Sequence, residues 1–469
     1  MDTKELTKQL LTGYPLRHRW QNRFHLAVPY GILGSPSGMI ESGGLYHLYC
    51  PWLPEGEQGE SSWLHVGTRD FVRLQQGNAA ICSGQQSGWL EGSVYTKEGE
   101  VLAFYTRQGQ EGRKEQWLAK WQEEERSFVG ERLCLAEPPA GYEADFGEPY
   151  VFERQEKRYA LLGAKRENGA GCLLLYTEKS EGWTFVGEVQ TEFGMKGSRW
   201  ASPSLVSFGN RDVLLFSQTG LAVRQYSYQN KHTAGYAVGR FSLADLSLEH
   251  GSLQEADKGF DYYAPRIYQH AGRNILIGRL GMPESESSPE GRYSTLALPR
   301  LLTLRDNHVY AKCLPELQEL RISGRDEAVE EYGVSALRRT LPEGSEILLD
   351  LTFGEASKIR LVLRYGLESL IVVYDKGSQV MIIDRRRFRH GERGVRRFRL
   401  YGKEKLQMRI FVDKTAVEFF FQHGEKTASM LVFPAKNILP ELDLAADGPI
   451  DSLVGHIWAL DTLQFNYHV

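Results

Sequence analysis

Hydrophobic and polar positions repeat five times along the first two-thirds of the chain. Each copy has a tight step, often with proline, then a short hydrophobic strand, a polar turn and a second, strongly hydrophobic strand. Anchor positions 36, 93, 149, 203 and 265 are 57, 56, 54 and 62 residues apart. Five units of about four strands predict a five-bladed β-propeller over residues 1–322. The third strands are predicted at residues 63–66, 116–121, 173–176, 236–241 and 295–298.

A propeller also predicts where a site would lie. The innermost strand of every blade runs beside the central axis, so residues where these strands begin converge on one funnel. We therefore expect the chemistry at five places along the chain: Ser35, Glu91 with Gly92, Glu148, Ala201 with Ser202, and Tyr263 with Ala264.

The hydrophobic pattern changes after Ser323–Glu331, which we interpret as a linker. Short strands follow one another from there, and several alternate polar and apolar residues, as 358–364 does. A sheet with one buried face and one solvent-exposed face is typical of a β-sandwich. The sequence therefore predicts an all-β fold, with a five-bladed propeller followed by a sandwich over residues 323–469.

A basic run in the second domain has three interpretations. It could form solvated strand faces paired with nearby acids, a subunit interface that makes a homo-oligomer through the sandwich, or a site for an anionic ligand. The run consists of Arg385, Arg386, Arg387, Arg389, Arg393, Arg396, Arg397 and Arg399.

Composition excludes several classes of partner. The net charge is only −4, with 56 basic and 60 acidic residues among 469, so nucleic acid is not expected. No apolar run approaches the roughly 18 residues of a membrane helix, and Met1–Trp20 lacks a signal-peptide pattern. Five cysteines without CxxC pairing predict reduced thiols in the cytoplasm and no metal site. Nothing indicates a cofactor.

An ordered set of motifs runs along almost the whole chain: Phe24-His25, Gly34–Ile40, Gly44–Tyr49, Trp63–Val66, Leu90–Val94, Phe146–Pro149, Trp200–Leu205, Asp261–Arg266, Leu298–Arg300, Ile410–Asp413 and Val432–Pro434. Together these motifs resemble glycoside hydrolase family 32, which contains invertases, fructan hydrolases and bacterial sucrose-6-phosphate hydrolases. The resemblance implies a propeller with an appended sandwich and retaining hydrolysis of β-fructosides by two carboxyl groups.

The departures from this family concern the carboxyl groups. The resemblance puts the nucleophile position at Ser35, the acid/base position at Ala201 and a third, sugar-gripping carboxylate at Glu148, whose neighbouring arginine has become Gly147. Serine ionises far above neutral pH and has no histidine nearby in sequence, and alanine cannot donate a proton. The inherited mechanism is therefore expected to be absent, and no catalytic residue is assigned.

Other pocket positions have also changed. Pro51, Glu91, Arg266 and Arg279 stand where the family has Gln, Ser, Gln and Trp. New carboxylates and guanidinium groups beside intact scaffold motifs predict a remodelled pocket. We expect a small saccharide there, with or without a phosphate group. Its predicted ligand-binding residues are Ser35, Ser37, Trp89, Glu91, Glu148, Asp261, Tyr263 and Arg266.

Three functions stay open at this point. The first is a pseudoenzyme that binds a saccharide or regulates through it, in which Glu148 accepts sugar hydroxyls. The second is an active glycoside hydrolase that uses Glu148 with Glu91, and inversion would need the two carboxyl groups roughly 6.5–9.5 Å apart. The third is a structural role through the sandwich. Glu148 could instead pair with an arginine such as Arg266.

Overall fold

The structure is a computed structural model and describes residues 7–8, 20–28, 30–54, 60–87, 89–109, 112–193, 197–283, 293–402 and 404–466. Most of the N-terminal segment through Arg19, for which no signal peptide is expected, lies outside these residues. Within them the chain is almost entirely β-strand. The predicted all-β class is confirmed: a five-bladed propeller precedes a sandwich.

Five sheets, built mainly of antiparallel pairs, follow one another in sequence as the blades. Blade 1 contains β1 (Ile32–Leu33), β2 (Gly38–Ser42), β3 (Leu45–Leu53), β4 (Glu60–Thr68) and β5 (Arg73–Ser87). Blade 2 contains β6 (Glu91–Lys97), β7 (Glu100–Gln108), β8 (Lys114–Gln122) and β9 (Ser127–Leu135). Blade 3 contains β10 (Gly147–Arg154), β11 (Lys157–Lys165), β12 (Gly171–Lys179) and β13 (Gly182–Glu188). Blade 4 contains β14 (Gln190–Thr191), β15 (Trp200–Phe208), β16 (Arg211–Thr219), β17 (His232–Ser242), β18 (Ser247–His250) and β19 (Gln254–Glu255). Blade 5 contains β20 (Tyr262–His270), β21 (Arg273–Leu280), β22 (Thr295–Leu296), β23 (Arg300–Arg305) and β24 (His308–Cys313).

The innermost strands β2, β6, β10, β15 and β20 form a closed ring. Each contacts the next in this order, and β20 contacts β2. In blade 5 only the first half of the predicted third strand, 295–298, is a strand, β22, and β23 begins after the predicted range at Arg300; both pair with β21. Pro299 lies between them, and proline has no N–H for a ladder.

Ten strands of the second domain form one continuous hydrogen-bonded network. A 3₁₀ helix at Pro315–Leu320 precedes them and another, Gln422–Gly424, follows β32. The strands are β25 (Arg321–Thr340), β26 (Ser345–Thr352), β27 (Lys358–Tyr365), β28 (Glu368–Asp375), β29 (Val380–Asp384), β30 (Val395–Arg399), β31 (Lys405–Val412), β32 (Ala416–Phe421), β33 (Lys426–Leu431) and β34 (Glu441–Leu460).

Two predicted boundaries are wrong. Ser323–Glu331 is no linker, because it lies within β25, which pairs with β34. Only Val329 and Leu337 of β25 are buried, so its hydrophobic pattern is too weak to reveal a strand. The last strand, β35 (Gln464–Asn466), pairs in parallel with β5 and therefore belongs to blade 1 rather than to the sandwich.

A buried ionic cluster joins the propeller to the sandwich. The His25 ring donates from Nδ1 to Asp413 (2.9 Å) and from Nε2 to Glu418 (3.1 Å). Arg300 of β23 also binds Glu418 (2.7 Å) and reaches Asp257 (3.0 Å). Burial alone would lower the pKa of His25, but its hydrogen bonds and the charges of the two carboxylates raise the pKa to about 9.

The basic run contributes to the same boundary. Arg385 is buried and pairs with Asp261, which precedes β20. Arg396 is also buried, and both guanidinium groups lie 4.2 Å from the Phe260 ring centroid. The interpretation as solvated strand faces is therefore wrong for these two arginines, since they pack inside the chain. Arg386, by contrast, is exposed and pairs with Asp384, as expected.

The protonated His25 predicts a pH-dependent stability. A histidine whose folded pKa of about 9 exceeds its unfolded value of 6.5 stabilises fully below pH 6.5, and this stabilisation is lost as the pH rises through 9. We expect the free energy of unfolding to fall by about 1.4 kcal/mol per pH unit between pH 7 and 8. Denaturant titrations across this window would measure the slope.

The exposed His423 offers a control, because it has a φ of 59° that asparagine also tolerates. His423→Asn should keep the same slope. A free energy that is flat or rising between pH 7 and 8 would contradict a protonated His25.

Candidate functional site

Three innermost strands begin with the same distortion. A β-bulge interrupts the pairing where β10, β15 and β20 start. At each bulge a non-glycine residue has positive φ and is followed by proline: Glu148 (58°), Ser202 (49°) and Ala264 (44°). Proline cannot donate to the ladder, which explains the break in pairing. The strained backbone turns these positions toward the axis and must be held by its surroundings.

The backbone of Glu148 is held on both sides. Its N–H donates to Thr106 Oγ1 (2.7 Å), while Arg266 Nη2 donates to its carbonyl (3.0 Å). Arg266 Nη1 donates to the carbonyl of Pro149 (3.0 Å). The prediction that Arg266 binds ligand is therefore wrong, because its buried guanidinium clamps the bulge of β10.

The Glu148 side chain is 3% exposed and already has partners. Oε1 accepts from Arg199 Nη2 (2.6 Å), and Oε2 accepts from the N–H (2.6 Å) and Oγ (2.7 Å) of Ser202. Burial would raise the pKa of Glu148, but Arg199, Lys114 and the Ser202 hydrogen bond outweigh burial and lower the pKa to about 2. The expected arginine partner exists, but it is Arg199. Glu148 is thus a fixed anion whose oxygens are engaged before any ligand arrives.

Glu91 lies beside Glu148. It is half-buried where β6 begins, and burial raises its pKa to about 7, with a further contribution from the negative charge of Glu148. A nearby like charge opposes the ionisation of a carboxyl group. The ionisation of Glu91 is therefore expected to depend on Glu148.

A line of alternating charges leads outward from this pair. Arg199 Nε lies 3.3 Å from Asp145, and Lys114 Nζ lies 2.7 Å from the same carboxylate. Arg199 and Lys114 are partly exposed, so this wall of the funnel contacts solvent. Each of the two carboxylates, Glu148 and Asp145, therefore has at least one cationic partner.

Small side chains occupy the positions that the family resemblance associates with catalysis. Ser35 Oγ donates to the Tyr263 carbonyl (3.0 Å), which ties blade 1 to blade 5. Ser37 Oγ contacts the Leu90 carbonyl at 3.5 Å and is buried. Ala201 is buried at the start of β15 and presents only a methyl group.

Two aromatic rings flank a guanidinium group on the opposite side of the funnel. Arg279 lies 5.0 Å from the Trp89 ring centroid and 4.9 Å from that of Tyr263. Tyr263 and Arg279 are directly paired residues of β20 and β21. Burial and the charge of Glu148 raise the pKa of Tyr263 to about 12, and Arg199, Glu91 and Arg279 also act on it. The side chains of Glu91, Glu148, Arg199, Tyr263 and Arg279 therefore converge on one funnel.

One predicted ligand-binding residue lies elsewhere. Asp261 Oδ2 accepts from Arg385 and from the Leu431 N–H (2.8 Å), so its carboxylate serves the boundary with the sandwich. The prediction for Asp261 is wrong because its carboxylate binds groups of the sandwich, one residue before β20 begins. The described residues bring together Ser35, Ser37, Trp89, Glu91, Glu148 and Tyr263, as predicted.

Sequence reasoning did not assign two residues of this site. Arg199 was not assigned because it stands one residue before the Trp200–Leu205 motif, outside the positions that carry the family resemblance. Arg279 was recognised only as a departure from the family tryptophan, although pairing opposite Tyr263 would have indicated its place. Among the described residues, no group of three or more His, Cys, Asp or Glu side chains could hold a metal ion. In the same part of the chain, no helix has the length and apolar character needed to cross a membrane.

The fold and funnel define a class: a five-bladed propeller with a polar axial site and an appended sandwich. Residues 25–313 match the glycosyl hydrolases family 32 N-terminal domain, and residues 316–453 match the C-terminal domain of that family. The chain belongs to glycosyl hydrolase family 32. The division between the matches lies close to the predicted domain boundary at 322.

Individual relatives agree with this assignment. The chain is 30% identical over 462 residues to a sucrose-6-phosphate hydrolase of Bacillus subtilis (strain 168), covering 94% of each chain. The solved sucrose-6-phosphate hydrolase of Lactobacillus gasseri is similar in fold, with a TM-score of 0.85, 23% identity and coverage of 98% and 96%. A β-fructofuranosidase of Bombyx mori has a TM-score of 0.85, 22% identity and 99% coverage of both chains.

The negative charge of Glu148 contributes to the raised pKa of Glu91, so the titration of Glu91 is expected to depend on Glu148. The Glu91 carboxyl signal in ¹³C NMR should have a midpoint near pH 7. Glu148→Gln should lower that midpoint, because the variant removes the adjacent negative charge that opposes ionisation.

Glu355→Gln is the control, since Glu355 is exposed in the sandwich. It should leave the Glu91 midpoint unchanged. A wild-type midpoint near 4.5 would contradict a raised pKa at Glu91.

Proposed function

We propose that this chain binds a saccharide in the propeller funnel and does not hydrolyse it by the retaining route of its family. One observation carries the proposal: the positions that the resemblance gives to nucleophile and acid/base hold Ser35 and Ala201. The Ser35 hydroxyl donates to a backbone carbonyl, and Ala201 has no proton to give. Without a carboxylate nucleophile there is no covalent intermediate, and loss of general acid catalysis alone costs about 10²–10⁴ in rate.

Saccharide binding is supported by the character of the funnel. Trp89 and Tyr263 present partly exposed aromatic rings, and ordered charged groups surround them. Aromatic faces with a few placed polar groups are typical of small-molecule sites. A substituted variant of the Bombyx mori relative was solved in complex with sucrose, which suggests the class of ligand to test first. Because the relatives include sucrose-6-phosphate hydrolases, saccharides with and without a phosphate group are both to be tested.

The alternative is an active hydrolase that uses Glu148 and Glu91. The raised pKa of Glu91 favours it, because a carboxyl group that titrates near 7 suits a general acid. The geometry argues against it. Both carboxylate oxygens of Glu148 already accept hydrogen bonds, Oε1 from Arg199 and Oε2 from Ser202, so this group is held away from the role of a free nucleophile or base. We therefore favour binding.

Two wider proposals accompany this function. The five cysteines, odd in number and without CxxC pairing, support a cytoplasmic location. A homo-oligomer through the sandwich is retained as a proposal, although Arg385 and Arg396 of the basic run are used within the chain.

We expect the purified protein to hydrolyse sucrose, sucrose 6-phosphate and inulin far below the usual enzymatic range of about 1–10³ s⁻¹. Release of reducing sugar would be measured beside the Bacillus subtilis relative as positive control. Binding would be followed with the same saccharides by calorimetry. Turnover within that range would contradict the proposal. A failure to bind every saccharide tested, neutral, phosphorylated or acidic, would also contradict it.

The double variant Ser35→Asp, Ala201→Glu should remain nearly inactive on sucrose. Catalytic groups need placement within about 0.5 Å, and the lengthened Glu148 with its Glu91 and Arg199 partners alters the surroundings of both restored carboxyl groups. Circular dichroism would confirm that the variant is folded. Robust sucrose hydrolysis by this variant would show instead that the pocket is unchanged apart from two residues.

A further inference from the structure

Arg279 differs from the other charged groups of the funnel in how its charge is balanced. It is only 5% exposed, and its Nε has no hydrogen-bond acceptor. Among the residues that the structure describes, no carboxylate forms an ion pair with it. Burial lowers the pKa of Arg279, although Tyr263, Glu91 and Glu148 act in the opposite direction. A buried guanidinium without a counter-charge is costly in a folded protein.

The other buried arginines each have an acceptor, although Nε of Arg300 and Nη2 of Arg385 also lack a partner. Arg300 pairs with Glu418 and Asp257, Arg385 pairs with Asp261, and Arg266 donates to two carbonyls. A buried guanidinium without any hydrogen bond or ion pair is therefore not general among the arginines that the structure describes. Arg279 is such a case, and it lies at the funnel.

The two aromatic rings beside Arg279 determine which atoms of its guanidinium group are available to a ligand. Trp89 and Tyr263, at 5.0 and 4.9 Å, stabilise the cation through their π faces. Stacking satisfies the faces of the planar guanidinium but none of its N–H groups, which lie in the plane. Those donors form a fork that matches the two oxygens of a carboxylate.

Charge counting sets the size of the missing anion. Glu148 is balanced by Arg199, and Asp145 by Lys114. Burial and the charge of Glu148 raise the pKa of Glu91 to about 7, so Glu91 is mostly protonated at pH 6.5. One positive charge, on Arg279, remains. A single negative charge would therefore complete the site, whereas a phosphate monoester carries about −1.5 to −2 at pH 7.

We propose that the funnel takes an acidic saccharide, a sugar carboxylate such as a uronic or aldonic acid, whose carboxylate pairs with the guanidinium of Arg279. This inference rests on the proposed function, since it names the class of saccharide that the same funnel binds. The sugar ring would lie against Trp89 and Tyr263, and the carboxylate would point toward β21. Ser35 and Ala201 fit this assignment, because carboxylates at these two positions would add negative charge near the ligand.

The test is calorimetry at pH 6.5 with D-glucuronate, D-galacturonate and D-gluconate. Their neutral counterparts D-glucose and D-galactose, together with D-fructose, form the second arm, and glucose 6-phosphate and fructose 6-phosphate the third. We expect at least one sugar acid to bind tenfold or more tightly than its neutral counterpart. Arg279→Met should remove this preference, and Arg279→Lys should retain only part of it, because lysine keeps the charge but loses the fork.

Arg240→Met is the matched control, because Arg240 is exposed on β17, away from the funnel. It should leave the affinity for the sugar acid unchanged. The melting temperature of ligand-free Arg279→Met should be equal to or higher than that of the wild type, since an uncompensated buried charge is removed. A markedly lower melting temperature would show that Arg279 is structural and would overturn the proposal.

Three binding results would also overturn it. These are equal affinity for acidic and neutral sugars, an affinity for sugar acids that survives Arg279→Met, and tighter binding of a sugar phosphate than of the sugar acids. Binding of neutral saccharides that does not depend on Arg279 would refute the acidic ligand and leave the proposed function standing. Hydrolysis at ordinary enzymatic rates would refute the proposed function separately.

Discussion

Buried charges at the boundary between propeller and sandwich are the constraint on which the rest of this structure depends. Glu418 on β32 accepts from both His25 and Arg300, and Asp413 accepts from the other nitrogen of the His25 ring. Removing one partner from such a buried group would leave an uncompensated charge, which typically costs about 3–5 kcal/mol. The cluster therefore allows one arrangement of the two domains and penalises others. Its hydrogen bonds connect segments almost 400 residues apart in sequence.

This boundary also reaches the funnel. Asp261 is held from the sandwich by Arg385, and β20 begins at the next residue and carries Tyr263 to the axis. The bulge between Tyr263 and Arg266 redirects the strand, so that Tyr263 faces the site and Arg266 supports the bulge of β10. A sandwich remote from the ligand can thus be needed for the geometry of the site. The same strand links domain packing with the aromatic face that we assign to saccharide binding.

The departures from the family pattern act together rather than one by one. Where the family resemblance implies two carboxylates the chain has Ser35 and Ala201, and Glu91 lies beside Glu148 while Arg279 lies beside Tyr263. Ser35 and Ala201 carry no negative charge, burial raises the pKa of Glu91 to about 7, and Arg279 is a cation. Decay without selection would not be expected to keep Glu148 fully hydrogen-bonded or to stack a new guanidinium between two aromatic rings. The combination favours a pocket remade for a different ligand.

The sequence by itself determined the blade count, the sandwich and most residues at the funnel, because strand periodicity and family motifs are local properties. It could not show that β25 is a strand. Few residues of β25 are buried, so its hydrophobic pattern is weak, and its pairing with β34 holds it as a strand. The sequence also misplaced Asp261 and Arg266, whose partners Arg385 and Glu148 are 124 and 118 residues away. Only the tertiary structure decided which charges are paired. Pairing depends on distances between side chains from different blades, and so the unpaired Arg279 became visible only in the folded chain.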